Sequence, residues 1–368
     1  MRVLLISKAM VVGAYQRKAE ELAKLPGVQL TLVVPPYWDE ETRRVHLERA
    51  YTAGYELLVQ PLAFSGRFHV HFYPRLGQAF SGSRPEVVHA DEEPYNLATL
   101  QMLLLARQAG ARSLFFTWQN LYRRYPFPFR AVEAYNLAHF DLAVAGNAEA
   151  VAVLRRKGFR KEVAVIPQFG VDPELFRPPE AAVEPRPFTV GYLGRLVEQK
   201  GLADLVRAVA ALGGETRLVL VGAGPLEAEL RALAAQVGLG ERLVVRAPVP
   251  SITVPEALWQ LDALVLPSRT RPNWKEQFGR ILVEAMACGV PVVGSDSGEI
   301  PNVIGDAGLV FPEGDVTALY RCLERLRGSA EERSRLAGLG RRRALAQFTH
   351  AQVAARYAEV YRQVARCT

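Results

Sequence analysis

Short apolar runs alternate with amphipathic stretches along the first half of the chain. Runs rich in β-branched residues predict strands, and stretches with a 3.6-residue apolar period predict the helices between them. The order strand, helix, strand indicates a parallel sheet with right-handed crossovers. The predicted strands are Val3–Ile6, Leu30–Val34, Val87–His89, Ser113–Phe116, Leu142–Ala145 and Val163–Ile166, and the predicted helices are Tyr15–Lys24, Tyr95–Gln108, Phe129–His139 and Asn147–Lys157.

This periodicity stops between residues 170 and 187, where five prolines fall in a segment without a regular apolar pattern. Such a segment is typical of a linker between domains. A second alternation follows and predicts a second parallel sheet. Its strands are Phe188–Leu193, Leu218–Val221, Leu243–Arg246, Ala263–Leu266, Val290–Gly294 and Leu309–Phe311, with helices at Leu202–Leu212, Pro225–Val237, Arg280–Cys288, Thr317–Leu326, Ala330–Gln347 and Ala351–Ala365.

The chain is long enough for two such α/β domains, because 49% of its 368 residues are hydrophobic. We expect one domain at 1–170, a linker at 171–187, a second domain at 188–347 and a final helical segment at 348–368. Cys288, Cys322 and Cys367 are too few and too scattered for a disulfide framework or a metal cluster. The first apolar run is too short for a signal peptide or a membrane span, so we expect a cytoplasmic protein.

A net charge of +7 is compatible with a polyanionic partner but does not establish one. The sequence contains no helix-turn-helix spacing, no zinc-finger spacing and no long basic stretch interleaved with aromatic residues. Nucleic acid is therefore not an expected partner.

The most informative segment joins two carboxylates, Glu276 and Glu284, eight positions apart around the turn Gln277–Gly279. A carboxylate accepts hydrogen bonds from two neighbouring hydroxyls, so such residues are suited to hexose and ribose. The alternative is two solvated surface acids. The helix that carries Glu284 is apolar on nearly every face, however, and a buried Glu needs a partner or a ligand.

This segment resembles the donor-site signature of retaining glycosyltransferases of the GT-B fold, family 4, also called glycosyl transferases group 1. The resemblance implies two doubly wound Rossmann-like domains that face a central cleft, with the last helix crossing back to the N-terminal domain. It implies that Glu276 holds the hexose and that Glu284 holds the ribose. The accompanying donor contacts are Gln277, Phe278, Gly279, Ile281 and Leu282.

Two loops of the second domain add candidate phosphate contacts. Arg195 and Lys200 follow the first strand and precede a helix, where two cations and a helix N-terminus suit a diphosphate. An ordinary basic loop is the alternative, but Gly194 and a second glycine flank the pair. In the resembled family this Arg and Lys clamp the donor diphosphate. The turn containing Gly222 and Gly224 would line the nucleotide pocket, and it lacks the further glycine and acid of a dinucleotide site.

The N-terminal domain matches the family more loosely. Gly13 stands where the family has a glycine-rich loop that faces the donor phosphates, and its N–H is a candidate phosphate contact. His89 and Asp91 correspond to a strand end that borders the acceptor cleft. A histidine that caps a buried strand is an equally good interpretation of His89.

The clearest departure from the family is Gln119, which replaces a His found in many relatives. Gln is no general base. In a retaining enzyme of this kind the leaving phosphate is thought to take the acceptor proton, so the replacement need not abolish catalysis. We assign Gln119 and Asn120 to positioning.

Two other features have competing interpretations. His69 and His71 have the spacing of two side chains on one face of a strand, but without a third ligand they do not indicate a metal site. Residues 122–130 mix basic and aromatic side chains, as a loop that touches lipid headgroups or an anionic acceptor would. Alternatively, this segment leads into a helix and packs on the neighbouring domain.

The candidate residues and the family resemblance together imply a retaining, metal-independent hexosyltransferase. It would move a sugar from a UDP- or GDP-linked donor to a carbohydrate or lipid-linked acceptor in polysaccharide or glycolipid assembly. No cofactor is expected besides the nucleotide-sugar co-substrate, and peripheral contact with the inner face of the membrane is possible. The alternatives are a GT-B sugar-nucleotide epimerase and a catalytically silent protein that binds sugar nucleotides.

Overall fold

A computed structural model describes residues 1–40, 43–180 and 186–366. The chain divides into two compact units, and one of them is discontinuous in sequence. The first unit consists of Met1–Gly170 together with the C-terminal helix from His350, and the second unit is Val171–Thr349. The predicted linker falls in the second unit, and its residues 181–185 lie outside the described residues, as does Cys367.

The first unit contains a seven-stranded parallel sheet. Its strand order is β5-β2-β1-β6-β7-β8-β9, so β1 pairs with β2 on one side and with β6 on the other. A separate antiparallel pair, β3 and β4, follows β2. The strands are β1 Arg2–Ile6, β2 Gln29–Val34, β3 Tyr37–Asp39, β4 Arg44–His46, β5 Glu56–Val59, β6 Val87–Ala90, β7 Arg112–Thr117, β8 Leu142–Ala145 and β9 Glu162–Val165.

Helices cover both faces of this sheet and bury two hydrophobic clusters. The side chains of Tyr357 and Tyr361, on the last helix, are completely buried against one face together with Leu5 and Leu32. The last helix therefore completes the core of the first unit, as expected from the sequence. The helices are α1 Arg17–Ala23, α2 Leu76–Ser83, α3 Leu97–Gln108, α4 Phe129–His139, α5 Ala148–Arg156 and, at the end of the chain, α13 His350–Arg366.

The second unit contains a six-stranded parallel sheet with strand order β12-β11-β10-β13-β14-β15. The strands are β10 Thr189–Leu193, β11 Arg217–Val221, β12 Leu243–Arg246, β13 Ala263–Leu266, β14 Val292–Ser295 and β15 Leu309–Phe311. The helices are α6 Leu202–Leu212, α7 Glu227–Gln236, α8 Val254–Trp259, α9 Arg280–Ala287, α10 Ile300–Ile304, α11 Val316–Gly328 and α12 Ala330–Gln347. Within the described residues, no helix combines the length and apolarity that crossing a bilayer requires.

Strand order determines where loops meet. In both sheets the order in which strands are added reverses beside the first strand of the unit. β1 lies between β2 and β6, and β10 lies between β11 and β13. Loops that leave the carboxyl ends of these strands diverge and leave a crevice, which is the usual ligand position in open α/β sheets. These two carboxyl edges are therefore the expected positions of ligand-binding residues.

The predicted strands and long helices are confirmed, with ends that shift by a few residues. The sequence pattern missed short elements, namely β3, β4, β5, α2, α8 and α10. The interpretation of His69 and His71 as strand neighbours is wrong. They lie in a turn, where the His71 side chain is buried and the His69 ring packs 4.7 Å from that of Phe129.

Candidate functional site

Three loops meet at the carboxyl edge of the second sheet, after β10, β13 and β14. Two glycines in left-handed conformation allow this approach. A Cβ on Gly201 would lie 2.0 Å from the Pro267 carbonyl oxygen, and a Cβ on Gly298 would lie 2.0 Å from the Glu276 carbonyl oxygen. No side chain fits at such distances, so the close contact of the loops requires glycine at both positions.

Glu276 is the centre of this loop cluster. Its Oε2 accepts a hydrogen bond of 2.6 Å from Nζ of Lys200 and one of 2.8 Å from Oγ of Ser268. The Lys200 ammonium also lies 4.9 Å from the ring centroid of Trp274. Glu276 is 8% exposed, and these charged and neutral donors fix the position of its carboxylate.

A second ion pair connects the loops behind Lys200. Arg269 donates two hydrogen bonds of 2.6 Å to the buried carboxylate of Asp204 on α6, and its backbone N–H donates to the Gln199 carbonyl. A bidentate Arg–carboxylate contact has fixed geometry. The loop that carries Lys200 and the loop that carries Glu276 are thereby held against each other.

Arg195 follows β10 at the same carboxyl edge of the second sheet, and its side chain is exposed. Its carbonyl accepts from the Tyr192 hydroxyl at 2.9 Å, which fixes the start of the loop. The turn with Gly222 and Gly224 packs directly on this loop: a Cβ on Gly222 would lie 1.9 Å from the Gly194 carbonyl oxygen, and one on Gly224 would lie 2.2 Å from the Leu196 carbonyl oxygen. These glycines bring two loop backbones together beside the candidate phosphate position.

Helix α9 begins at Arg280, directly after the turn that follows Glu276. Its buried Glu284 pairs with the Arg280 guanidinium at 2.9 Å. Burial raises the pKa of Glu284, and Arg280 offsets part of this rise. Ile281 is half-buried against the core, so its side chain is only partly available. The expectation for Leu282 is wrong: its side chain is completely buried in the core, and its N–H donates to the Gly279 carbonyl.

The carboxyl edge of the first sheet carries a buried polar cluster that the sequence analysis missed. Glu92 forms an ion pair with Lys8 and lies 3.7 Å from Nε2 of His71. Burial opposes ionisation of Glu92, yet Lys8 and His71 keep its pKa low, at about 2. The Lys8 ammonium also lies 5.3 Å from the ring centroid of Trp38.

Glu93 holds the turn at the end of β7. Its Oε2 accepts from the Thr117 hydroxyl at 2.6 Å, and its Oε1 accepts from the Trp118 backbone N–H at 2.8 Å. Burial raises the pKa of Glu93 to about 7 despite these two donors. The turn that presents Gln119 is therefore fixed by a carboxyl group that titrates near neutral pH.

The Gln119 side chain is itself held on both sides. Its Oε1 accepts from Lys157 at 2.8 Å, and its Nε2 donates to the Tyr125 hydroxyl at 3.1 Å. Lys157 also pairs with Glu133, and both side chains are almost completely buried. Asn120, the neighbouring candidate, donates to Glu149 at 3.5 Å. Gln119 thus has a single amide orientation, which suits a positioning role.

His89 and Asp91 do not border an open site. His89 is completely buried, its Nδ1 lies 2.8 Å from the Tyr361 hydroxyl, and burial followed by the charge of Lys18 lowers its pKa well below the usual value. Asp91 is 2% exposed and accepts from the Ser7 hydroxyl at 2.6 Å. Their assignment as acceptor contacts is corrected to a neutral histidine and a carboxylate within the core.

The expectation for Gly13 also needs correction. Its N–H donates to Oε2 of Glu48 at 2.8 Å, so it is not free for a phosphate. A Cβ on Gly13 would lie 2.9 Å from the Ala50 Cβ. Close packing on residues 48–50 accounts for the glycine.

A concavity of about 830 Å³ opens elsewhere in the second unit, at the amino ends of β13 and β14. Trp259, Asp262, Pro291 and Arg341 are among its lining residues. It lies at the opposite sheet edge from Glu276 and shares no residue with the loop cluster. Among the residues that the structure describes, no group of three or more His, Cys, Asp or Glu side chains could hold a metal ion.

Two family models match the two halves of the chain. Residues 12–168 match the glycosyl transferase 4-like domain, and residues 176–343 match glycosyl transferases group 1. The chain belongs to the glycosyl transferases group 1 family. The resemblance noted in the segment from Glu276 to Glu284 is thereby confirmed.

Curated relatives are about one-third identical to this chain within the aligned residues. A GDP-mannose-dependent alpha-(1-6)-phosphatidylinositol monomannoside mannosyltransferase from Mycolicibacterium smegmatis is 32% identical over 52% of this chain and 54% of that protein. An MMP alpha-(1->4)-mannosyltransferase from Mycolicibacterium hassiacum is 32% identical over 60% of this chain and 53% of that protein. These matches span about half of each relative.

Solved structures of the same fold cover the whole chain. A sucrose-phosphate synthase from Thermosynechococcus elongatus has a TM-score of 0.75 at 21% identity, covering 100% of this chain and 99% of that one. Anabaena HepE in complex with UDP has a TM-score of 0.72 at 17% identity, covering 99% and 100%. The chain therefore has the GT-B fold that the sequence predicted.

The group 1 signature located the centre of the second unit's loop cluster but not its supports. Glu276, Lys200 and Arg195 come to one sheet edge, where Ser268 and the Asp204–Arg269 pair support them through contacts that the motif itself does not show. A signal for Ser268 was present, because it lies two positions after the predicted buried strand Ala263–Leu266, at the carboxyl edge where ligands bind in such sheets.

Proposed function

We propose that the protein is a retaining glycosyltransferase that moves a hexose from a nucleoside diphosphate sugar to an acceptor hydroxyl. The observation that carries this proposal is the hydrogen-bonded trio Lys200–Glu276–Ser268 at the carboxyl edge of the second sheet. A carboxylate for sugar hydroxyls and a cation for phosphate are 2.6 Å apart there. The sugar and the diphosphate of the donor are bonded to each other, so the residues that bind them must also lie side by side.

In this proposal each residue of the edge has a separate task. Lys200 and Arg195 bind the diphosphate, Glu276 accepts from hexose hydroxyls, and Glu284 accepts from the ribose. Arg280 partly neutralises the buried Glu284 before the nucleotide arrives. The backbone of residues 277–279 and the turn at Gly222 and Gly224 line the donor position, as the family resemblance implies.

The proposed step breaks the bond between the anomeric carbon and the diphosphate oxygen. The acceptor oxygen forms its bond to that carbon on the same face, and the acceptor proton passes to the departing phosphate. Negative charge therefore grows on the diphosphate, where the fixed cations Arg195 and Lys200 stabilise it more in the transition state than in the ground state. Two such cations support catalysis without a metal ion.

For the acceptor we propose a carbohydrate or a lipid-linked glycan, as in polysaccharide or glycolipid assembly. Support comes from the relatives of this chain, which include a phosphatidylinositol monomannoside mannosyltransferase and a putative colanic acid biosynthesis glycosyltransferase. The fixed amide of Gln119 would position the acceptor hydroxyl. Neither UDP nor GDP is favoured by a described contact, so both remain candidate nucleotides.

We also propose a reducing, cytoplasmic setting at the inner face of the membrane. Cys288 is buried, Cys322 is half-buried, and neither forms a disulfide in the described residues. Free thiols of this kind are typical of reducing compartments.

Donor consumption tests the proposed function. The purified protein is screened for thermal stabilisation by nucleoside diphosphates and their sugars, with and without magnesium, and the donor that binds is then incubated with and without glycan acceptors. Transfer predicts that the donor is consumed and a glycoside of unchanged anomeric configuration forms only when acceptor is present. Conversion of the donor without acceptor would instead establish the epimerase, and binding without turnover under both conditions would establish a silent binding protein.

A further inference from the structure

Two segments of the first unit concentrate positive charge and aromatic side chains. Residues 60–74 and 117–132 contain four arginines and no aspartate or glutamate, although about one residue in ten of the whole chain is acidic. The four arginines are Arg67, Arg123, Arg124 and Arg130, and all are exposed. Both segments therefore present cations to solvent without acids of their own.

The same segments expose large apolar rings. Phe127 is 82% exposed, Phe64 is 56% exposed and Phe68 is 51% exposed. Single exposed apolar residues are common on proteins, but three exposed phenylalanines here fall in the same two segments as the four arginines, so these segments combine apolar and cationic side chains.

The two segments adjoin each other through His69. The His69 ring lies 5.4 Å from that of Tyr125 and 4.7 Å from that of Phe129, both of which are half-buried. Tyr125 and Phe129 thus anchor the second segment, while the Phe127 side chain between them is exposed to solvent. We call the exposed residues the aromatic–arginine surface, which consists of Phe64, Arg67, Phe68, Arg123, Arg124, Phe127 and Arg130.

The backbone at Phe64 is strained. Its φ is +56°, a left-handed conformation that is unfavourable for a bulky residue with a Cβ. More than half of the Phe64 side chain faces solvent, and its ring lies 6.1 Å from that of Phe72. Strained residues of this kind concentrate where a surface binds something.

We propose that the aromatic–arginine surface docks the protein on an anionic lipid bilayer. Anionic headgroups attract clustered arginines, and aromatic rings enter the boundary between headgroups and acyl chains. The surface adjoins the acceptor edge, because Tyr125, which packs on His69, accepts a hydrogen bond from Gln119. Docking would hold the edge that carries Gln119 near the membrane. The docking proposal does not depend on which donor the second unit binds.

Vesicle co-sedimentation of the full-length protein tests this proposal. Vesicles of phosphatidylcholine are compared with vesicles in which about a third of the lipid is phosphatidylglycerol. We expect binding to the anionic vesicles alone, and binding that weakens in high salt because headgroup attraction is screened. Reversing the charge of Arg124 and Arg130 together, to Glu, should lower the partition coefficient by about thirtyfold or more. Phe127→Ser should lower it about tenfold, and Phe127→Leu should retain it.

The matched control is Arg217→Glu with Arg321→Glu, which makes the same charge change on exposed residues of the second unit. Circular dichroism melts establish that each variant folds. Equal loss of binding in the control and in the Arg124/Arg130 variant would overturn the proposal, as would equal binding to neutral vesicles or no vesicle binding at all. Retention on heparin without vesicle binding would also overturn it and would indicate an anionic polysaccharide instead.

Discussion

Nζ of Lys200 lies 2.6 Å from Oε2 of Glu276, although 76 positions separate the two residues along the chain. The contact joins the loop after β10 to the loop after β13, which are neighbouring strands. The cation proposed to bind the diphosphate and the carboxylate proposed to bind the hexose are thereby placed side by side. Such preorganisation reduces the reorganisation that the reaction itself requires.

Glu276→Ala should lower the rate of sugar transfer by about 10² to 10³-fold, because it removes a fixed acceptor for the hexose hydroxyls. We expect the far-UV circular dichroism spectrum to stay unchanged. The measurement is steady-state transfer with saturating donor, and the control is Glu229→Ala, which removes an exposed carboxylate from α7. Transfer at the wild-type rate by Glu276→Ala would refute the assignment.

Arg195→Ala should weaken nucleoside diphosphate binding by about ten- to a hundredfold, since hydrogen bonds to charged groups contribute about 1.5–3 kcal/mol. The readout is thermal stabilisation, which amounts to about 2.7 kcal/mol for a ligand at one hundred times its dissociation constant. Arg231→Ala is the control, because its guanidinium pairs with Glu227 on the surface of α7. Unchanged nucleotide stabilisation of Arg195→Ala would exclude a phosphate contact there.

Gly298→Ala should destabilise the protein and reduce transfer, because its Cβ would lie 2.0 Å from the Glu276 carbonyl oxygen. Gly214→Ala is a matched control with a similar φ of +59° and no atom within 4 Å of the added Cβ. We expect about 1–2 kcal/mol of destabilisation from the left-handed backbone alone in the control, and a larger loss at Gly298. Urea unfolding and transfer assays measure both. Equal effects of the two substitutions would show that the loop contact is unimportant.

Glu93 should make folding stability depend on pH. Burial raises its pKa to about 7 from 4.5, so the folded state keeps this proton at pH values where the unfolded state has released it. Its contribution is complete below about pH 4.5 and is lost as pH rises to 7, by about 3 kcal/mol in total. Urea unfolding of the wild type and of Glu93→Gln between pH 4.5 and 7.5 tests this: the stability difference between them should shrink or reverse as pH rises. Parallel pH profiles would contradict the raised pKa.

Long, strongly periodic elements were predictable because one burial pattern determined each of them. Helix α6 and strand β13 begin and end where the apolar pattern places them. Short elements such as α10, Ile300–Ile304, carry too few residues for a period to emerge. Their conformation depends on contacts with distant segments, which sequence spacing does not reveal.

Candidate site residues were predictable where the chain keeps a dense local motif. Glu276 and Lys200 were identified from their neighbours in sequence, and the fold brings them together. Gly13 and His89 were misassigned because their partners, Glu48 and Tyr361, are far away in the sequence. Glu93 was missed for the same reason, since only the folded turn shows that it holds Thr117.

The return of α13 to the first unit has a consequence for synthesis of the chain. Tyr357, Tyr361 and the other buried apolar residues of α13 complete a core whose remaining members lie in the first 170 residues. The second unit is continuous and can close as soon as its own residues have left the ribosome. One apolar face of the first unit stays uncovered until the last helix emerges. The first unit therefore finishes folding after the second unit, although most of it is translated earlier. This order is the reverse of the usual N-terminal-first folding during synthesis.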